Sequence, residues 1–167
     1  QGFGGLTPVG AGRTDAGVHA VGQVASFRTE ERLDPHRIRR SLNGLTGDDV
    51  VVRALDEAAD SFHARFSARG RAYRYRLLDE PSALYRDLAW CPRRRPRVEP
   101  MVAAARHLRV RGSFASFAAS EDDSPTKVCA VERVAWGEWS RGLELHVEAD
   151  RFLHHMVRVM VGTLVEV

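Results

Sequence analysis

With 167 residues, 44% of them apolar, the chain is long enough for one ordinary domain or two small lobes sharing a core, and too apolar to be disordered. Its 25 basic residues are 24 arginines and a single lysine, Lys127, against 22 acidic residues, giving a net charge of +3 and a sequence pI near 9.3. That balance suits a polyanionic partner, and the lack of any span-length apolar tract argues against a membrane protein; the longest tract, near the C-terminus, is interrupted by Arg158.

Residues 1–12 carry five glycines and a proline and are expected to form loop, with too few apolar residues for a strand. The next run, Ala11-Gly12-Arg13-Thr14-Asp15-Ala16-Gly17-Val18-His19-Ala20, sets one carboxylate between a guanidinium and a glycine turn. An aspartate used in covalent chemistry must be ionised, reachable and held in one orientation. Arg13 supplies positive charge, Thr14 a local hydrogen-bonding group, and Gly12 and Gly17 the tight backbone, so Asp15 is the candidate catalytic group. The same run also fits an ordinary Asx-type turn at a strand end.

Residues 22–29 alternate in part and predict a strand. Asp34-Pro35 supplies an N-cap and a first-turn proline for a helix, which Asn43-Gly44 is expected to close. Residues 50–55 form a short β-branched run. In Gly70-Arg71-Ala72-Tyr73-Arg74-Tyr75-Arg76-Leu77 a period of two predicts a strand, read as placing Tyr73 and Tyr75 on one face and Arg71, Arg74 and Arg76 on the other. Such a strand with an aromatic core face is common without any function.

Residues 91–100 are rich in Pro and Arg and read as an exposed connection. A short alanine-rich helix is expected over 100–108, a turn with two aromatic anchors over 113–117, and an acidic loop that should avoid RNA over 121–125. Residues 128–139 and 143–149 are strand-like about the turn Ser140-Arg141-Gly142, an antiparallel hairpin. Phe152, Met156, Val159, Met160, Thr163, Leu164 and Val167 then recur at helical spacing as a buried stripe, with Arg158 beside it. The pattern is α+β with an antiparallel bias.

Other chemistries find little support. Cys91 and Cys129 lack Cys-x-x-Cys spacing and no secretory leader is recognisable, so neither a disulfide framework nor a zinc site is expected, and a reducing, cytoplasmic location is. His154 and His155 are adjacent, and adjacent helical residues diverge by about 100°, which argues against a chelating pair. His19 follows Asp15 by four residues, without a serine or cysteine nucleophile in a recognisable setting. A guanidinium beside an apolar stripe, as Arg158 is, calls for a carboxylate partner or a route to water.

Four segments in one order, Ala11-Gly12-Arg13-Thr14-Asp15-Ala16-Gly17-Val18-His19, Phe62-His63-Ala64-Arg65-Phe66-Ser67-Ala68, Tyr73-Arg74-Tyr75 and Phe152-Leu153-His154-His155-Met156-Val157-Arg158, resemble the motifs of TruA-type tRNA pseudouridine synthases. The resemblance runs from about Ala11 to the last residue. It implies an α+β pseudouridine synthase fold, with a mostly antiparallel extended sheet, flanking helices and a central active-site cleft. Residues 1–79 would form the portion bearing the catalytic Asp and residues 80–167 a second portion completing the cleft, as one continuous catalytic unit.

By position, Asp15 matches the catalytic aspartate and Arg13 the arginine that displaces the target nucleotide from its stack. Tyr73 matches the tyrosine packed on the target base, and Arg158 the basic residue paired with the aspartate. Thr14, His19 and Arg65 fall within the same motifs and are carried over as substrate-binding residues. The implied reaction converts uridine to pseudouridine in the tRNA anticodon arm, positions 38 to 40, in a homodimer needing no cofactor or metal. Arg37, Arg39, Arg40, Arg69 and Arg71 would then contact the RNA backbone.

Thr46 stands where the family usually has proline, and Ala72 where a basic residue often precedes the tyrosine. The family's Tyr-Asp-Gly and Gly-Trp-Gln elements and its C-terminal part are missing, so a chain truncated at both ends is expected. Two alternatives remain: an RNA-binding fragment without catalysis, and a different nucleotide enzyme using Asp15 and His19 as an acid–base pair.

Overall fold

The computed structural model describes residues 6–167, so the glycines at positions 2, 4 and 5 lie outside the described residues. The chain forms two compact units, Gln1–Ala68 and Arg69–Val167. Both are α and antiparallel β, the class expected.

In the first unit, β1 (Val9–Gly10) pairs antiparallel with β2 (Ala25–Ser26). The first strand falls where loop was expected, and the strand expected over 22–29 shrinks to two residues. Helix α1 (Pro35–Leu45) begins as read: Asp34 accepts from the backbone N–H groups of His36 and Arg37, with proline in the first turn. It does not end at Asn43-Gly44 but runs to Leu45, where the Thr46 N–H caps the Leu42 carbonyl.

Asn43 has another task. Its side-chain amide accepts from the Val52 N–H at 2.7 Å and donates to the Val52 carbonyl at 3.0 Å. The Thr46 hydroxyl donates to Val50 O and Arg39 to Arg53 O, so side chains of α1 and its C-cap satisfy the backbone of the β-branched run. Backbone polar groups need partners, and here side chains replace a neighbouring strand.

The second unit is a four-stranded antiparallel sheet in the order β3-β6-β5-β4: β3 (Arg71–Leu78), β4 (Arg111–Ser113), β5 (Val128–Trp139) and β6 (Gly142–Ala149). Tyr73, Tyr75 and Leu77 point to the core face. Arg74 and Arg76 face the other way toward Glu144. Arg71 does not join them: it is two residues from Tyr73, shares its parity, and donates to the Asp150 carbonyl.

The β5–β6 hairpin forms about the expected turn. Gly142 has φ +147, and a Cβ there would lie 2.2 Å from the Leu77 carbonyl oxygen, so only glycine fits. Along β5 the core residues switch from Cys129 and Val131 to Val134 and Trp136, odd positions to even. A register shift between Val131 and Arg133 absorbs the extra residue, Glu132, and keeps the apolar side chains inward.

Helix α2 (Val98–Ala105), continued by a 3-10 turn over Arg106–Leu108, and helix α3 (Met156–Glu166) contribute buried residues to the core. Met156 and Met160 fill one cluster with Phe114, Cys129, Val131 and Val147; Val161 and Leu164 fill another with Leu77, Met101 and Leu145. Of the expected stripe, Thr163 and Val167 are exposed, while Leu153 and Val161 are buried instead. Phe152 precedes the helix, because His155 adopts a left-handed conformation (φ 59, ψ 2) and α3 starts only after it. The 100° argument applied to His154 and His155 therefore does not hold, and their rings stack at 4.0 Å.

Candidate active site

The Asp15 motif forms the connection between β1 and β2. Both of its ends are pinned: Ala11 N–H donates to the Val24 carbonyl at 2.8 Å, and the Gln23 side chain donates to the Gly12 carbonyl at 2.9 Å. Within it, Val18 N–H closes a turn on the Asp15 carbonyl at 3.1 Å, with Gly17 at φ 80, a conformation costing other residues about 1–2 kcal/mol. Asp15 is half-buried in this turn, whereas Arg13, Thr14 and His19 are exposed. A loop tied at both ends holds a carboxylate in one place.

The second motif is a turn stapled onto β2. Ala64, 3% exposed, donates its N–H to the Ser26 hydroxyl at 3.1 Å. The His63 Nδ1 accepts from the N–H groups of Arg65 and Phe66, and Ser67 Oγ accepts from His63 N–H. His63 is thus the residue that shapes this turn, a role the sequence did not reveal. Arg65 points outward over the Phe66 ring, 5.8 Å from its centroid, and Phe66 is itself 77% exposed.

In the second unit Tyr73 packs edge-on against Phe152, with ring centroids 5.1 Å apart and planes at 83°. Two of the resembling motifs therefore meet through their aromatic residues. Arg158 is exposed on the first turns of α3. Burial pushes the Tyr75 hydroxyl above its ordinary pKa, and the Arg158 charge draws it partly back, so Arg158 acts electrostatically on the tyrosine face of β3.

The acidic loop over 121–125 carries one inward-facing carboxylate. Asp122 is not solvated: its carboxylate is 3% exposed and is held by the Lys127 ammonium, by Ser124 N–H at 3.0 Å and by His154 N–H at 2.6 Å. The signal lay in the sequence, since Asp122-Asp123-Ser124 has Asx-turn spacing and Lys127 is the one lysine among arginines. Of the expected RNA-contacting arginines, Arg39 donates to the Arg53 carbonyl and Arg71 to that of Asp150, leaving Arg37, Arg40 and Arg69 exposed.

Known proteins match this chain along nearly its full length. Proteins called tRNA pseudouridine synthase A are 40% identical over 157 residues in Chlorobium luteolum, 42% over 165 residues in Anaplasma marginale and 39% over 160 residues in Bacillus subtilis. These alignments take in 94%, 96% and 95% of the chain. The chain belongs to the tRNA pseudouridine synthase A family. A tRNA pseudouridine synthase family model also matches residues 104–167, the stretch running from the end of α2 through the β5–β6 hairpin to α3. The chain spans 62%, 67% and 65% of the length of those three synthases. No helix among the described residues is long and apolar enough to cross a membrane.

Proposed function

We propose that the protein isomerises uridine to pseudouridine in tRNA. The carrying observation is the Asp15 loop, a half-buried carboxylate on backbone pinned by the Ala11–Val24 and Gln23–Gly12 hydrogen bonds, in a chain 36–42% identical to relatives named tRNA pseudouridine synthase A. In the reaction the bond from ribose C1′ to uracil N1 breaks, the uracil rotates, and C1′ bonds to C5. The C5 proton is lost and N1 gains one, so no redox step occurs.

Asp15 supplies the carboxylate, either attacking C1′ or removing a sugar proton to give a glycal. Tyr73, fixed by Phe152, supplies a face for the target base, and Tyr73 or Asp15 takes the C5 proton. Arg158 supplies the cation that keeps a carboxylate ionised in a partly dry site, and Arg13 the cation that replaces a displaced nucleotide. Thr14, His19 and Arg65 contribute to holding the substrate. The target uridines are those of the anticodon arm, positions 38 to 40, the enzyme is a cytoplasmic homodimer, and residues 1–79 and 80–167 act as one catalytic unit.

The test is tritium release from tRNA labelled at uridine C5, comparing the intact protein with its Asp15→Asn variant. Release that disappears in the variant while tRNA binding persists supports the proposal. Binding without release in either protein identifies an RNA-binding chain without catalysis. Loss of release in His19→Ala but not in Asp15→Asn would overturn the assignment of the chemistry to Asp15.

A further inference from the structure

We infer that Asp122, with Lys127, is a positioning residue that sets the start of α3 and thereby Arg158; the inference rests on the isomerase reading above. Residues 150–155 join β6 to α3 and are tied at both ends. At one end Asp150 exchanges bonds with Ala130, its Oδ1 accepting from Ala130 N–H at 2.8 Å and its N–H donating to the Ala130 carbonyl at 3.1 Å. At the other, residue 154 is gripped on both backbone groups. His154 N–H donates to Asp122 Oδ2 at 2.6 Å, and the His154 carbonyl accepts from Ala119 N–H at 3.0 Å.

The grip is itself braced. Lys127 donates to both the Asp122 carboxylate and the Asp122 carbonyl, and Ser124 N–H donates to Oδ1. Lys127 immediately precedes β5, so the brace is anchored in the sheet. A lysine fits because one compact ammonium can donate to two oxygens of the same residue, which the planar fork of an arginine does less readily.

What the grip holds is a conformation the chain would otherwise avoid. His155 is the only non-glycine residue with positive φ among the described residues, a strained state that needs its neighbours fixed. The turn at His155 ends the extended segment and starts α3, with Met156 N–H on the Leu153 carbonyl. Arg158 follows within one turn, so a shift at residue 154 carries directly to its guanidinium.

Asp122→Asn tests this in the intact protein, because an amide must present NH2 to one of the three donors now facing the carboxylate. The expected outcome is a single-turnover rate of pseudouridine formation about 10- to 100-fold lower, with tRNA affinity changed less than about twofold and faster amide exchange at residues 154–158. Lys127→Met should reproduce the loss, and Lys127→Arg, which keeps the charge but not the compact ammonium, should recover only part of it. A role confined to stability would instead lower the melting temperature and leave the single-turnover rate of folded protein unchanged. A rate within about twofold of the parent for Asp122→Asn or Lys127→Met, or unchanged exchange at 154–158, overturns the inference. A parent protein that forms no pseudouridine overturns the isomerase reading itself.

Discussion

Arg76 on β3 and Glu144 on β6 are direct cross-strand partners, and the Arg76 Nε lies 2.6 Å from Glu144 Oε2. Glu144 is buried, 8% exposed as a whole residue. Burial pushes its carboxyl pKa up, but the Arg76 hydrogen bond and charge, aided by His146 and Arg74, hold it below the ordinary value. Arg76 also covers Trp139, 5.2 Å from the ring centroid. This is how the sheet face opposite the helices accommodates a carboxylate.

Removing one partner of such a pair costs more than the pair contributes, because the remaining charge stays buried. Arg76→Met should therefore destabilise the protein by about 1–3 kcal/mol, read from urea unfolding midpoints. The Arg133–Glu148 pair at 3.3 Å, with both side chains about half exposed, is the control: Arg133→Met should change stability by less than about 0.5 kcal/mol. Equal effects of the two would show that burial of Glu144 does not decide the cost.

The Asp122 carboxyl is held well below the usual carboxylate range, first by the Lys127 hydrogen bond and then by the His154 N–H, against burial, which raises it. A folded-state pKa below the unfolded one contributes stability that is complete above the unfolded value, about 3.9, and is lost as pH falls toward the folded one. The parent protein should thus lose unfolding free energy more steeply than Asp122→Asn as pH falls below about 4. Parallel acid limbs for the two would contradict this.

Arg37 and Arg40 are exposed on α1, while Arg39 is engaged with the Arg53 carbonyl. If α1 contacts tRNA phosphates, replacing Arg37 and Arg40 with Ala should lower the slope of log affinity against log salt by about 1.4–1.8. Arg39→Ala should act on stability rather than on that slope. Filter binding across a salt series checks both, and an unchanged slope for the double variant would remove α1 from the interface.

Much of this protein is written in local sequence. The Asp34-Pro35 helix start, the Ser140-Arg141-Gly142 hairpin and the alternation of Tyr73, Arg74, Tyr75 and Arg76 depend on caps, turn geometry and period, all properties of neighbouring residues. The four motifs that resemble the synthase family also lie in contiguous runs, which is why the candidate residues could be named from sequence.

What only the tertiary structure decided involves partners distant in the chain. Residues 50–53 look like a strand, but Asn43 and Thr46 satisfy their backbone before any strand does. The run Glu121-Asp122-Asp123 looks like an acidic loop, and within it Asp122 turns inward because His154 N–H and Lys127 offer it more than water does. α3 starts at Met156 rather than Phe152 because that same grip holds His155 in a left-handed turn, which local helical spacing cannot announce. Composition and periodicity report what each segment prefers alone; hydrogen-bond partners brought together by folding decide where those preferences are overruled.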